Sequence, residues 1–174
     1  MIVVVADSGP VRYLAVLNAI AVLPKLYDRI ILPQSVVAEL SHPHAPVEAR
    51  EWAGNLPAWA EVRQARHIGL AAVLDAGEAE AIAIAEELRA DLVLLDEHEA
   101  RKIASERGLA VTGTIGVLEQ AAACGLIVLP EVLQRLIATN FRIAPAVIEE
   151  ALERDRVRRE QLPAQETRPS ERER

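Results

Sequence analysis

The stretch Ile2-Val3-Val4-Val5-Ala6-Asp7-Ser8-Gly9-Pro10 decides the architecture. Its β-branched run suits a short strand buried on both faces, as in parallel sheets covered by helices. Asp7-Ser8-Gly9-Pro10 stops that strand, and Pro10 suits the first turn of a helix whose apolar face is Tyr13, Leu14, Leu17 and Ile20. The same order recurs at Leu92 to Leu95, where a strand leads through Asp96 into a helix over Glu97 to Arg107. It recurs again at Ala110 to Thr112, followed by a helix from about Ile115 to Cys124. Between these units the pattern predicts a strand over Arg29 to Leu32 and a helix from Gln34 to about Ser41. Residues 46 to 56 then read as a helix, with a strand near Glu61 to Val62 and a long Ala-rich helix opening at Asp75-Ala76-Gly77-Glu78. Glu131 to Ala138 and Ala146 to Glu153 read as two further helices. Repeated strand-then-helix order implies an α/β fold of three layers, a mainly parallel sheet with right-handed crossovers between helices. One domain over 1–150 is expected. A charged segment follows over 151–174, either disordered beyond Asp155 or extending the last helix.

The composition agrees. Hydrophobic residues make up 51% of the 174 and aromatics only 3%, so the core must be built from Ala, Leu, Val and Ile. Cys124 is the only cysteine and can form no internal disulfide, which fits a reducing cytoplasm. No apolar run approaches the roughly 18 residues of a membrane span, so a soluble protein is expected. The net charge of −7 argues against a broad basic face for nucleic acid. It leaves a nuclease open, because acidic ligands subtract charge and bound cations return it where phosphate docks. Lys25 and Lys102 are the only lysines, against seventeen arginines, so any phosphate contacts fall mainly to guanidinium groups.

Four carboxylates interrupt the apolar rhythm: Asp7, Glu39, Glu78 and Asp96. Asp7 and Asp96 follow strands of the parallel type, and open α/β sheets hold their ligands beyond the carboxyl ends of such strands. Carboxylates held close together repel unless a cation lies between them, and hard oxygen ligands suit Mg²⁺ or Mn²⁺. His42, His44, His67 and His98 lack the spacing of a zinc set. Each carboxylate also has a purely structural explanation. Asp75 with Glu78, and Asp96 with Glu99, fit capping boxes, Asp7 fits a cap on the helix after Pro10, and Glu39 fits a solvated helix position. Glu78 and Glu80 point about 200° apart on one helix, at about 100° per residue, so only one can face the crevice. Glu80 is then expected to be solvated or paired with an arginine.

The strings Val5-Ala6-Asp7-Ser8-Gly9-Pro10, Leu32-Pro33-Gln34-Ser35-Val36-Val37-Ala38-Glu39-Leu40, Leu74-Asp75-Ala76-Gly77-Glu78-Ala79-Glu80-Ala81-Ile82, Leu95-Asp96-Glu97 and Val111-Thr112-Gly113-Thr114-Ile115-Gly116-Val117-Leu118 stand in the order of a known family. Together they resemble the PIN-domain superfamily, and within it the DUF3368 branch of VapC-like toxins, over about residues 1 to 150. The resemblance implies a Rossmann-like sheet, Mg²⁺ or Mn²⁺, cleavage of single-stranded RNA, and the toxin role of a type II toxin-antitoxin pair. It makes Asp7, Glu39, Glu78 and Asp96 the metal ligands and catalytic residues, with Thr114 and Ser8 as accessories. No carboxylate stands at 112 to 116, so a second metal would be weakly held. Arg12 stands where a plain apolar residue is common, giving either a phosphate contact or a surface arginine. The expected partners are RNA, a cognate antitoxin protein and a second copy of the chain, with no membrane. Two other classes compete. A receiver-like phospho-signalling domain would use Asp96 and Thr112, but needs an acidic pair after the first strand and a later lysine, and no lysine follows Lys102. A catalytically silent PIN scaffold that binds a partner protein would need none of the four carboxylates.

Overall fold

The computed structural model describes residues 1–70 and 72–162. Along the chain run β1 (Val3–Ala6), α1 (Ser8–Val16), a 3₁₀ turn (Ile20–Val22), α2 (Leu23–Leu26), β2 (Arg29–Pro33), α3 (Gln34–Leu40) and α4 (Val47–Gly54). Then follow β3 (Ala60–Arg63), α5 (Ala76–Leu88), β4 (Leu92–Leu94), α6 (His98–Glu106), β5 (Val111–Thr112), α7 (Thr114–Ala123), α8 (Leu129–Ile137) and α9 (Pro145–Gln161). The strands form one sheet of order β3-β2-β1-β4-β5, and every neighbouring pair is parallel.

Strand residues alternate between two cores, because successive side chains leave a strand on opposite faces. Val4, Ala6, Ile30, Leu32 and Leu94 pack with Leu14 of α1, Val36 of α3, Leu118 of α7 and Leu133 of α8. Val3, Val5, Ile31, Val93 and Leu95 pack with Ile82 and Ile84 of α5 and Ala100 of α6. Both faces are covered, so the strands read as unbroken apolar runs. The chain winds outward from β1 to β3, then returns across it to β4. That reversal places the topological switch between β1 and β4, where open sheets form a crevice.

One boundary differs from expectation, and a second bears on an alternative that the sequence left open. The first helix was expected to present Leu17 and Ile20 but ends at Val16. Asn18 adopts a left-handed φ of 53°, while its N–H donates to Ala15 at 2.9 Å and that of Ala19 to Leu14 at 2.8 Å. This is a Schellman closure with Asn in the position that glycine usually takes, and asparagine tolerates it. At the other end, α9 continues through the charged segment to Gln161. Asp155 is buried and pairs with Arg158 and Arg159, and Arg154 reaches Glu119 of α7 at 2.8 Å. Ion pairs at three- and four-residue spacing therefore replace apolar contacts in that stretch. The expected disorder over 163–174 lies outside the described residues. Among the described residues no helix is long and apolar enough to cross a membrane.

Because the backbone at Asn18 is left-handed, Asn18→Ala should lose about 1 kcal/mol while Asn18→Gly loses nothing. Urea unfolding of the two variants beside the parent checks this.

Candidate metal centre

Asp7 directly follows β1 and caps α1, accepting the Gly9 N–H at 3.5 Å. Asp96 follows β4, the strand beside β1. A methyl group placed on Gly9 would stand 3.4 Å from Asp96 Oδ2 and 3.8 Å from Asp7 Oδ2, so one glycine lies between the two carboxylates. The expected convergence at the sheet edge is therefore met.

A third element closes over Asp7. The Gly77 N–H at the start of α5 donates to Glu39 Oε1 at 2.9 Å, tying the end of α3 to α5. A methyl on Gly77 would come within 2.8 Å of both Asp7 Oδ1 and Glu39 Oε1. Only glycine leaves that space. Asp7, Glu39 and Asp75 each offer a carboxylate oxygen, and those oxygens lie within 4.8 Å of one another. Among the described residues, Asp7 Oδ1 is buried with no hydrogen-bond partner. A carboxylate oxygen left so costs several kcal/mol unless the group is protonated or a cation meets it. An all-oxygen donor set around an unpartnered buried oxygen fits a hard divalent cation.

The electrostatics follow from that crowding. Burial pushes the Asp7 carboxyl up to about 8; the backbone N–H of Ser8 opposes this, and the charges of Asp75, Glu39 and Glu78 add to it. Glu78 is raised to about 7 by burial and then by Asp75, against the hydrogen bond from the Asp75 N–H. Burial also raises Asp96, while its hydrogen bonds with Thr114 and the nearby Arg101 guanidinium pull it down.

The structure assigns the sequence candidates different surroundings. Asp7 and Glu39 share the cluster, joined by Asp75, which sequence reasoning treated only as a helix cap. Asp75 does cap α5, accepting the Glu78 N–H at 2.9 Å, and its place in a capping box concealed its place in the acidic cluster. Glu78 is buried and folds back on the Asp75 N–H at 3.4 Å, completing that box just outside the triad. Asp96 does not cap α6, whose N-cap is Glu97 without a side-chain bond, so the expected box with Glu99 is not formed. Instead Asp96 accepts both the N–H and the hydroxyl of Thr114 at 2.7 Å, binding the end of β4 to the start of α7. Thr114 is buried beneath it, and Ser8 is half-buried on the wall of a neighbouring cleft.

Glu80 overturns its expectation. It is 3% exposed, with Oε2 accepting the Ser35 N–H at 2.8 Å and hydroxyl at 2.5 Å, and Oε1 accepting the Ala65 N–H at 3.1 Å. It does point away from Glu78. The other side of α5 is covered as well, however, since every residue from 77 to 85 is buried. The signal was present in Ala79, Ala81, Ile82, Ala83, Ile84 and Ala85, a helix apolar nearly all round.

A family model described as DUF3368, a PIN domain, matches residues 3–156, and the chain belongs to that family. No curated protein matches the sequence significantly. Among solved structures the chain is similar to a PilT N-terminus domain protein, SSO1118, from Sulfolobus solfataricus P2. Identity is 15% and the TM-score 0.45, over 82% of this chain and all of that one. PIN domains are usually metal-dependent nucleases and typically bind divalent metals, and the acidic triad is suited to hold one.

Glu80→Ala should cost about 3 kcal/mol in chemical unfolding, since it strands buried donors at Ser35 and Ala65. Asp7 supplies a pH dependence. Its carboxyl titrates near 3.8 when unfolded and at about 8 when folded, so protonation favours the fold. That contribution is complete at low pH and is lost as pH rises toward the folded value. In EDTA, stability should fall between about pH 4 and pH 8, and Asp7→Asn should flatten the fall, read by urea unfolding across that range.

Proposed function

We propose that this chain is a divalent-metal-dependent ribonuclease that cleaves single-stranded RNA as the toxin of a type II toxin-antitoxin pair. The observation that carries the metal-dependent part is the unpartnered, buried Asp7 Oδ1 facing Glu39 and Asp75 at the switch point of the sheet. Asp7, Glu39 and Asp75 would hold Mg²⁺ or Mn²⁺. When bound, such an ion polarises a phosphoryl oxygen and lowers the pKa of water enough to make a nucleophile at neutral pH. The chain's own contribution is placement. Gly77 fixes the Glu39 carboxylate, the capping box fixes Asp75 and Glu78, and Thr114 fixes Asp96 at the rim. Preference for RNA, the toxin role, an antitoxin partner, a homodimer and a cytoplasmic setting rest on the resemblance to VapC-like toxins. Against a receiver domain stands Asp96 itself: both its oxygens accept hydrogen bonds from Thr114, which leaves a poor phosphoryl acceptor.

The test is a nuclease assay on labelled single-stranded RNA and DNA with Mn²⁺, Mg²⁺ or EDTA. Cleavage of RNA with either ion and none in EDTA is expected, with Asp7→Asn inactive. Asp96→Asn keeps an acceptor for the Thr114 N–H and can donate to its hydroxyl, so it should fold normally and cleave roughly a hundredfold more slowly. Full cleavage by Asp7→Asn would remove the triad from the mechanism.

A further inference from the structure

Arg12 stands on α1 one turn beyond Ser8, at the edge of the acidic site. With Ser8, Glu39, His42 and His44 it lines a cleft of about 300 Å³ that shares Glu39 with the carboxylate cluster. Arg12 takes part in none of the ion pairs among the described residues, although the chain carries a net charge of −7 and a carboxylate lines the same cleft. Its guanidinium is nevertheless held in place. It lies 4.8 Å over the Tyr13 ring and donates one N–H to the Tyr13 hydroxyl at 3.1 Å, and that hydroxyl donates to Asn140 at 3.0 Å. Most of its donors are left for a ligand, already oriented. On the cleft's lining the exposed rings of His42 and His44 meet edge to face, with centroids 5.0 Å apart.

A positioned, uncompensated guanidinium is matched by a ligand with two acceptor oxygens, and phosphate is the one that a nuclease meets on either side of its scissile bond. Flat imidazole rings beside it suit an unpaired base, which stacks on any π-face. A polyanion approaching an acidic cluster also needs a cation outside the cluster to set its path. We propose that the cleft is a binding subsite for a phosphodiester next to the one cleaved. Arg12 takes the phosphate oxygens in a bidentate grip, and His42 and His44 face the attached nucleotide. The assignment rests on the nuclease reading above and deepens it.

The test measures binding, so that cleavage is not its readout. Asp7→Asn protein in EDTA is titrated against a fluorescein-labelled single-stranded RNA at several KCl concentrations, with anisotropy as the signal. Added Arg12→Leu should weaken binding about tenfold on every sequence and lower the slope of log K against log salt by about 0.7, one single-strand phosphate contact. Arg12→Lys, which keeps the charge but not the fork, should restore the slope and only part of the affinity. Lys102→Leu on α6 removes the same charge elsewhere and should change neither. In the otherwise native chain, Arg12→Leu should raise KM with kcat nearly unchanged. Unaltered affinity and slope in folded Arg12→Leu, or an equal change in Lys102→Leu, would overturn the subsite while leaving the nuclease reading standing. Absence of RNA binding by the parent at every salt concentration would overturn the subsite, whereas absence of cleavage by the native chain with Mn²⁺ or Mg²⁺ would overturn the nuclease reading.

Discussion

Everything at the carboxyl edge of this sheet depends on holding Asp7 where water cannot reach one of its oxygens. β1 is the central strand, bonded to β2 on one side and β4 on the other, so the residue after it cannot move without breaking the sheet. The Gly77 backbone and the Glu39 carboxylate then close over Asp7 Oδ1 from above. Burial, with like charge added to it, outweighs the backbone hydrogen bond that opposes it, which is why the Asp7 carboxyl is pushed up to about 8. A fold optimised only for stability would put an apolar residue there. That departure from local consistency makes Asp7 a candidate functional position.

The cluster is kept in register by two attachments between α3 and α5. Glu80 receives the N–H and hydroxyl of Ser35 at the start of α3, and Gly77 donates to Glu39 near its end. A seven-residue helix is too short to be stable alone, so its geometry is imposed by these contacts and by Val36 and Leu40 in the core. Two of the glutamates of α5 therefore divide the work. Glu78 closes the capping box beside the triad, while Glu80, on the opposite side, fixes the helix that delivers Glu39.

The α/β architecture, the parallel sheet and the convergence of Asp7 with Asp96 were legible in the sequence, because strand-then-helix order and apolar runs fix which strand ends share an edge. The ends of elements were less so. Leu17 and Ile20 continue the helical period, and only the left-handed backbone of Asn18, a tertiary choice, stops it. The charged residues after Asp155 look unable to pack, yet Asp155 is buried under two arginines. Within the site, Asp75 was hidden by a role it does perform, since a capping carboxylate can also stand in an acidic cluster. The error at Glu80 came from treating one helix side as solvent, when the alanines around it had already covered both.

Arginine shows how far residue type alone falls short. Arg101 donates to the Leu95 carbonyl at 2.9 Å beside Asp96, so its charge is spent inside the protein, tempering a buried carboxylate. Arg12 makes only a π contact and a neutral hydrogen bond, so its charge remains available outward. A broad basic surface would have to overcome the −7 of the whole chain. One oriented guanidinium at the mouth of the acidic cluster needs only to exceed the local field, whose reach in physiological salt is about 8 Å. An acidic protein can thus engage a polyanion, provided that its attraction is concentrated at the cleft and at whatever cation the triad holds.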